Sequence, residues 1–254
     1  MKKVYLFGLG VTNSTFADIQ KAIIDSAKQR KTLTVFLANV HMLMEAKKSN
    51  EFNVIFNNAD IVSTDGLPIC FALRLLYNIK QERVAGMDLF PSLLEKAADN
   101  GLSVFLYGSD PETLNKVKER TQNLYKKLKI RGIYSPPFRN LTYEEELEVI
   151  HKINESNADI IFVALGCPKQ EKLIHLLRKK VCAVMIGVGG AFPVFAQTVN
   201  RSPKWMQHSG LEWLYRLFQE PRRLFFRYAT TNTMFIYLLM KDCVKKLIKN
   251  ERFI

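Results

Sequence analysis

Carboxylates that follow apolar runs are the first groups in this sequence that could do chemistry. Ala59-Asp60-Ile61-Val62-Ser63-Thr64-Asp65-Gly66-Leu67-Pro68 reads as a short strand ending in Asp65, a turn at Gly66 and a helix with Pro68 in its first turn. This places Asp65 at the carboxyl edge of a sheet, where a carboxylate can take a proton from an attacking hydroxyl. A turn aspartate that only accepts backbone hydrogen bonds would leave the same local pattern. Asp60, ahead of the strand, and Asp88, at the start of a later helix, rank below it.

Other polar groups fall at comparable places. Asn39 ends an apolar strand and can cap the next helix, whose free N–H groups would also suit a phosphate or a sugar hydroxyl. Arg83 stands in a loop between helices, either solvated or in contact with a diphosphate. Gly166-Cys167-Pro168-Lys169-Gln170-Glu171 places Gln170 and Glu171 in the first turn of a helix after a strand, beside Asp65 at the sheet edge. Gly187-Val188-Gly189-Gly190 follows the last strand, and Gly189 and Gly190 let a ligand approach the backbone. Arg216, Arg222, Arg223 and Arg227 cluster around Glu220-Pro221, as bidentate partners for a diphosphate or as contacts to lipid headgroups.

The elements that must position these groups follow one pattern as far as about Gly190. Strands are expected at Val4–Phe7, Leu33–Leu37, Ile61–Ser63, Val104–Tyr107, Ile130–Tyr134, Ile160–Leu165 and Val181–Ile186, separated by stretches of helical length. Several are continuously apolar, as parallel strands covered on both faces are. Asp110-Pro111-Glu112, the Thr142/Glu145 capping box and Pro168 mark helix starts. The fold class is therefore α/β, a Rossmann-like doubly wound sheet over residues 1–198. Residues 199–254 form a basic, amphipathic helical appendage.

The chain carries a formal charge of +13, which calls for an anionic partner. Residues 201–254 hold eleven Lys or Arg against four Asp or Glu, interleaved with Phe225, Phe226, Tyr228, Phe235 and Ile236. That mixture suits a helix lying on an anionic membrane surface, or a helix packed on the core with a solvated basic face. The apolar run Met234 to Met240 falls far short of the roughly 20 residues a spanning helix needs. Basic residues on an apolar tail, rather than on an aromatic stacking face, argue against nucleic acid. Lys2-Lys3 and the short apolar run after them are read as the first strand rather than a signal peptide. The four cysteines form no CxxC pair and the histidines no HExxH, so no metal site and no disulfide framework is indicated, and reduced cysteines in the cytoplasm are expected. Gly8-x-Gly10 and Gly187-x-Gly189-Gly190 are incomplete dinucleotide fingerprints, so no cofactor is called for.

Taken in order, Asn39, Asp65-Gly66-x-Pro68, Arg83-x-x-Gly86, Gly166-x-Pro168-Lys169-Gln170-Glu171, Gly189-Gly190-x-Phe192, Arg201-x-Pro203 and Glu212-Trp213-Leu214-x-Arg216 resemble the WecG/TagA/CpsF family of bacterial glycosyltransferases. The resemblance runs from about Val35 to Arg227. It implies inverting, metal-independent transfer of a sugar from a UDP-sugar to an undecaprenyl-diphosphate-linked saccharide at the cytoplasmic face of the cell membrane. The products of such families are cell-surface polymers such as teichoic acid, capsule or exopolysaccharide. Asp65 matches the family's proposed base, Asn39, Arg83 and Gln170 fall at pocket positions, and the tail arginines match an appendage that holds the diphosphate. Leu37 stands where N-acetylmannosamine transferases of the family tend to carry Thr, and Pro193 where many members carry Asp. N-acetylmannosamine is the first expectation for the donor sugar, with glucose or another hexose as the alternative. A non-catalytic protein binding a nucleotide-sugar or lipid diphosphate is the rival class, and a homo-oligomer is left open.

Overall fold

A computed structural model of the chain describes residues 1–139 and 141–248; the end of the expected appendage, 249–254, lies outside them. The chain begins with an antiparallel hairpin, β1 (Lys2–Leu6) and β2 (Leu9–Asn13). Six further strands follow: β3 (Leu33–Ala38), β4 (Ile61–Thr64), β5 (Ser103–Gly108), β6 (Lys129–Tyr134), β7 (Ile160–Ala164) and β8 (Val184–Gly187). They form one wholly parallel sheet in the order β4-β3-β8-β7-β5-β6. The chain steps from β3 outward to β4, and every later strand lies on the other side of β3. Strand order therefore reverses at β3, and a crevice opens there at the carboxyl ends.

Alternate residues of each strand feed two apolar layers. Val35, Leu37, Ile61, Leu106, Phe162 and Ile186 face helices α1 (Phe16–Lys28), α5 (Gly86–Asp99), α6 (Pro111–Leu124) and α9 (Ala191–Phe195). Phe36, Ala38, Val62, Tyr107, Val163 and Met185 face α2 (Val40–Lys48), α3 (Asn50–Asn58), α4 (Leu67–Tyr77), α7 (Tyr143–Ser156) and α8 (Lys169–Leu177). After α9 come α10 (Lys204–His208), α11 (Glu212–Gln219) and the long α12 (Pro221–Ile248). Phe235 of α12 is buried on the second layer, with its ring edge-on to Phe7 at 5.6 Å. No helix among the described residues is long and apolar enough to cross a membrane.

Local chemistry explains most boundaries. Asp110 accepts from Thr113 N to cap α6, and Thr142 with Glu145 forms the expected capping box of α7. Two of the expected strands differ by more than one residue at an end. The run at Val4–Phe7 does not join the parallel sheet. Phe7 and Gly8 both take positive φ, 54° and 81°, which is the turn geometry that folds a two-residue hairpin. The last strand starts at Val184 rather than Val181, because Val181 N still bonds to Leu177 O in the turn that ends α8.

Asp60 lies at the amino-terminal edge of the sheet, opposite the crevice. Its Oδ2 accepts from Thr34 N (2.9 Å) and Thr34 Oγ1 (2.7 Å), and its Oδ1 pairs with Arg178 (2.6 Å). Asp159 makes the same tie to Ser103 N and Oγ. The Asp60→Ala variant leaves the buried Thr34 N–H without a partner and should lower the unfolding free energy by roughly 1–3 kcal/mol, read from the urea midpoint. An unchanged midpoint would show that the tie contributes nothing.

Candidate active site

The carboxyl ends of β3, β4, β5, β7 and β8 and the last helices enclose a cavity of ≈ 830 Å³ at the edge of the sheet. Asn39 leaves β3 and caps α2 through its Oδ1, which accepts from Met42 N at 3.0 Å, so it is both a helix cap and a wall of the cavity. Asp65 leaves β4, its N–H held by Ala38 O at 2.8 Å, and Gly66 opens α4 with no side-chain cap. Gly166 to Gln170 leave β7, and Gly187 to Gly190 leave β8. Arg216 of α11 and Arg223 and Arg227 of α12 close the opposite wall.

Asp65 is the pivot of the polar end. Arg83 Nε donates to its backbone oxygen at 2.7 Å, Arg83 NH1 reaches Gln207 O at 3.4 Å, and the NH2 end pairs with Glu212 and lies 3.9 Å from Asp65 Oδ1. Arg83 is thus not a solvated loop residue. Three of its five N–H donors are committed within the protein. Burial pushes the Asp65 carboxyl up to about 6; Arg83 opposes that rise, the neighbouring Glu212 adds to it, and Arg216 opposes it.

Gln170 forms the floor beside the glycine turn. Its Oε1 accepts from Gly166 N at 3.2 Å and its Nε2 donates to Glu171 at 2.7 Å. A Cβ at Gly187 would lie 2.8 Å from Gln170 Nε2 and would push the amide from its place, and one at Gly189, where φ is +46°, would crowd Oε1 at 3.3 Å. Gly190 carries the Arg216 guanidinium in the same way, with a Cβ there meeting NH2 at 2.5 Å.

Two of the residues expected at the site do not line the cavity. Glu171 is fully buried beneath Gln170, where desolvation pushes its carboxyl up to about 7 and the Gln170 hydrogen bond opposes the rise. It can orient the Gln170 amide but does not face the cavity. Arg222 is exposed on α12 and outside the lining, because helical periodicity turns it away from Arg223 and Arg227. Asp88 lies outside the lining as well, bound by Arg201 through two bonds of 2.5 and 2.8 Å that fasten the segment before α10 to α5.

The cavity also contains groups that the sequence reading did not select. Glu212 was legible only as part of a motif, and its pairing with Arg83 spans 129 residues. His41, in the first turn of α2, has its pKa lowered to about 4 by burial and then by Arg227, so its imidazole is neutral. No spacing signal marks it. Tyr228 follows Arg227 along α12.

Chemically, the polar end offers a base of raised pKa opposite guanidinium groups, a combination suited to displacing an anionic leaving group. Comparison with known proteins narrows the class. Residues 4–249 match the model of the Glycosyl transferase WecG/TagA/CpsF family. A protein of Bacillus spizizenii strain W23, described as N-acetylglucosaminyldiphosphoundecaprenol N-acetyl-beta-D-mannosaminyltransferase, is 35% identical over 196 residues, covering 77% of this chain and 74% of its own. A protein of Bacillus subtilis strain 168 with the same description is 34% identical over 212 residues, covering 83% of this chain and 80% of its own. The chain therefore belongs to the WecG/TagA/CpsF family and is a glycosyltransferase.

Proposed function

We propose that the protein transfers a sugar, N-acetylmannosamine by first choice, from a UDP-sugar to a saccharide linked to undecaprenyl diphosphate, with inversion and without an essential metal. The observation that carries this reading is the Asp65 carboxyl, raised to about 6 and facing a cavity whose other wall is built from Arg216, Arg223 and Arg227. Two relatives described as N-acetylglucosaminyldiphosphoundecaprenol N-acetyl-beta-D-mannosaminyltransferases support the choice of transferred sugar and of lipid-linked acceptor.

In this mechanism Asp65 removes the proton from the acceptor hydroxyl as that oxygen attacks the anomeric carbon. The bond from that carbon to the UDP oxygen breaks on the far side, and its electron pair leaves with the diphosphate. Arg216, seated on the Gly190 backbone, takes up the developing charge, a role a guanidinium fills by paired hydrogen bonds. Arg223 and Arg227, farther along the wall, hold the diphosphate of the lipid acceptor. Arg83 fixes Asp65, and Gln170 and Asn39 contact the donor. Exposed Phe225 and Phe226 beside exposed Arg222 support attachment of α12 to an anionic membrane surface on the cytoplasmic side.

Asp65→Asn keeps the shape of the side chain and removes the base. Release of UDP from a panel of UDP-sugars with a short-chain lipid-diphosphate-GlcNAc acceptor should fall about 10²–10⁴-fold, and chelation by EDTA should leave the wild-type rate unchanged. Full turnover by the variant would remove Asp65 from the role of base.

The base works only when ionised, so wild-type kcat/KM should rise with pH through about 6. Glu212→Gln removes a negative charge that holds the Asp65 proton on, and should move this acid limb to lower pH. A limb that stays in place, or moves upward, would contradict the coupling of Glu212 to Asp65.

A further inference from the structure

The cavity continues past the arginines and changes character. Along α12 its lining runs from Arg227 through Tyr228, Asn232, Phe235, Ile236 and Leu239, and no residue of that helix beyond Arg227 contributes a charge to it. Tyr228 to Leu239 spans roughly 16 Å of helix. The facing wall is α4, which contributes Leu67, Pro68 and Phe71. Both helices leave the polar site in the same direction. The first turn of α4 follows Asp65, and its last residue, Tyr77, lies under the Lys246 ammonium near the end of α12, 5.7 Å from the ring centre. The result is a trough with a buried floor at Phe235 (5% exposed) and two large apolar side chains at its open rim, Phe71 (60%) and Ile236 (55%). Large apolar groups left in water around one concavity mark a binding surface.

We infer that this trough between α4 and α12 seats the first isoprene units of the acceptor's lipid, directly behind its diphosphate. The inference rests on the acceptor class proposed above and deepens it. It follows from continuity, because the apolar trough begins where Arg227 ends the charged wall. A prenyl diphosphate has that same order, an anionic head followed by an apolar chain. The rim opens beside the outer face of α12, where Tyr237, Met240 and Leu247 are exposed, so the remainder of the lipid leaves the trough toward a bilayer.

Calorimetric titration in vesicle-free, detergent-free buffer tests this, using inorganic diphosphate and prenyl diphosphates of one, two and three isoprene units. Wild-type Kd should tighten by on the order of tenfold for each of the first units seated and then level off. In the double variant Phe71→Ser/Ile236→Ser, altered only at exposed positions, this gain should be lost while the affinity for inorganic diphosphate is kept. Equal Kd across the series, an undiminished gain in the variant, or a length dependence seen only when anionic vesicles are added would overturn the trough. Length-dependent binding with no UDP release from any lipid-linked acceptor would uphold the trough and overturn the proposed reaction instead.

Discussion

Arg83 joins two carboxylates that come from opposite walls of the cavity, and the polar site is organised around it. One is Asp65, at the end of a core strand, and the other is Glu212, in a helix near the carboxyl terminus. A guanidinium can serve both because its planar fork presents donors in several directions at once. With both partners in place the cavity has a charged interior in which each group limits the others. Asp65 is held against full loss of its proton by burial and by Glu212, and against too high a proton affinity by Arg83 and Arg216. Such opposed influences hold a carboxyl near neutrality, where it can both accept and release a proton.

The glycines of the β8 turn set the shape of the same site. Gly187 and Gly189 admit the Gln170 amide, and Gly190 admits Arg216, each at a distance that a methyl group would not tolerate or would barely tolerate. The amide in turn rests on Glu171, a buried carboxyl whose second oxygen has no partner among the described residues. The floor of the cavity is thus layered and closely packed, while the wall made by α11 and α12 is held by ion pairs and by Phe235 and Leu224.

Much of this was legible in the sequence because it depends on local chemistry. Asp110, Thr142 and Asn39 cap helices as their residue types suggest, and the continuously apolar runs at Val104 and Ile160 are central strands. The placing of Asn39, Asp65 and Gln170 at strand ends follows from the same alternation of elements. What sequence alone did not resolve depends on tertiary contacts. Glu171 and Gln170 are neighbours in one helical turn, and only packing decides which of them faces the cavity. Arg222 and Arg223 present the same ambiguity, while the importance of Glu212 arises from a partner 129 residues away. The hairpin escaped notice because Phe7 is a poor candidate for a positive φ, so nothing flagged the Phe7-Gly8 turn.

That hairpin bears on how copies of the chain could associate. A six-stranded parallel sheet has two outer strands whose unpaired N–H and C=O groups invite strand addition from another molecule. On the β4 side the invitation is withdrawn, since Thr12 of the hairpin accepts the Val62 N–H at 2.9 Å. On the β6 side Lys129 and Arg131 are exposed, and cations on an outer strand repel a like-charged twin. Lengthening of this sheet from one molecule into the next is therefore discouraged at both margins, which directs any oligomer toward contacts between helix surfaces and side chains.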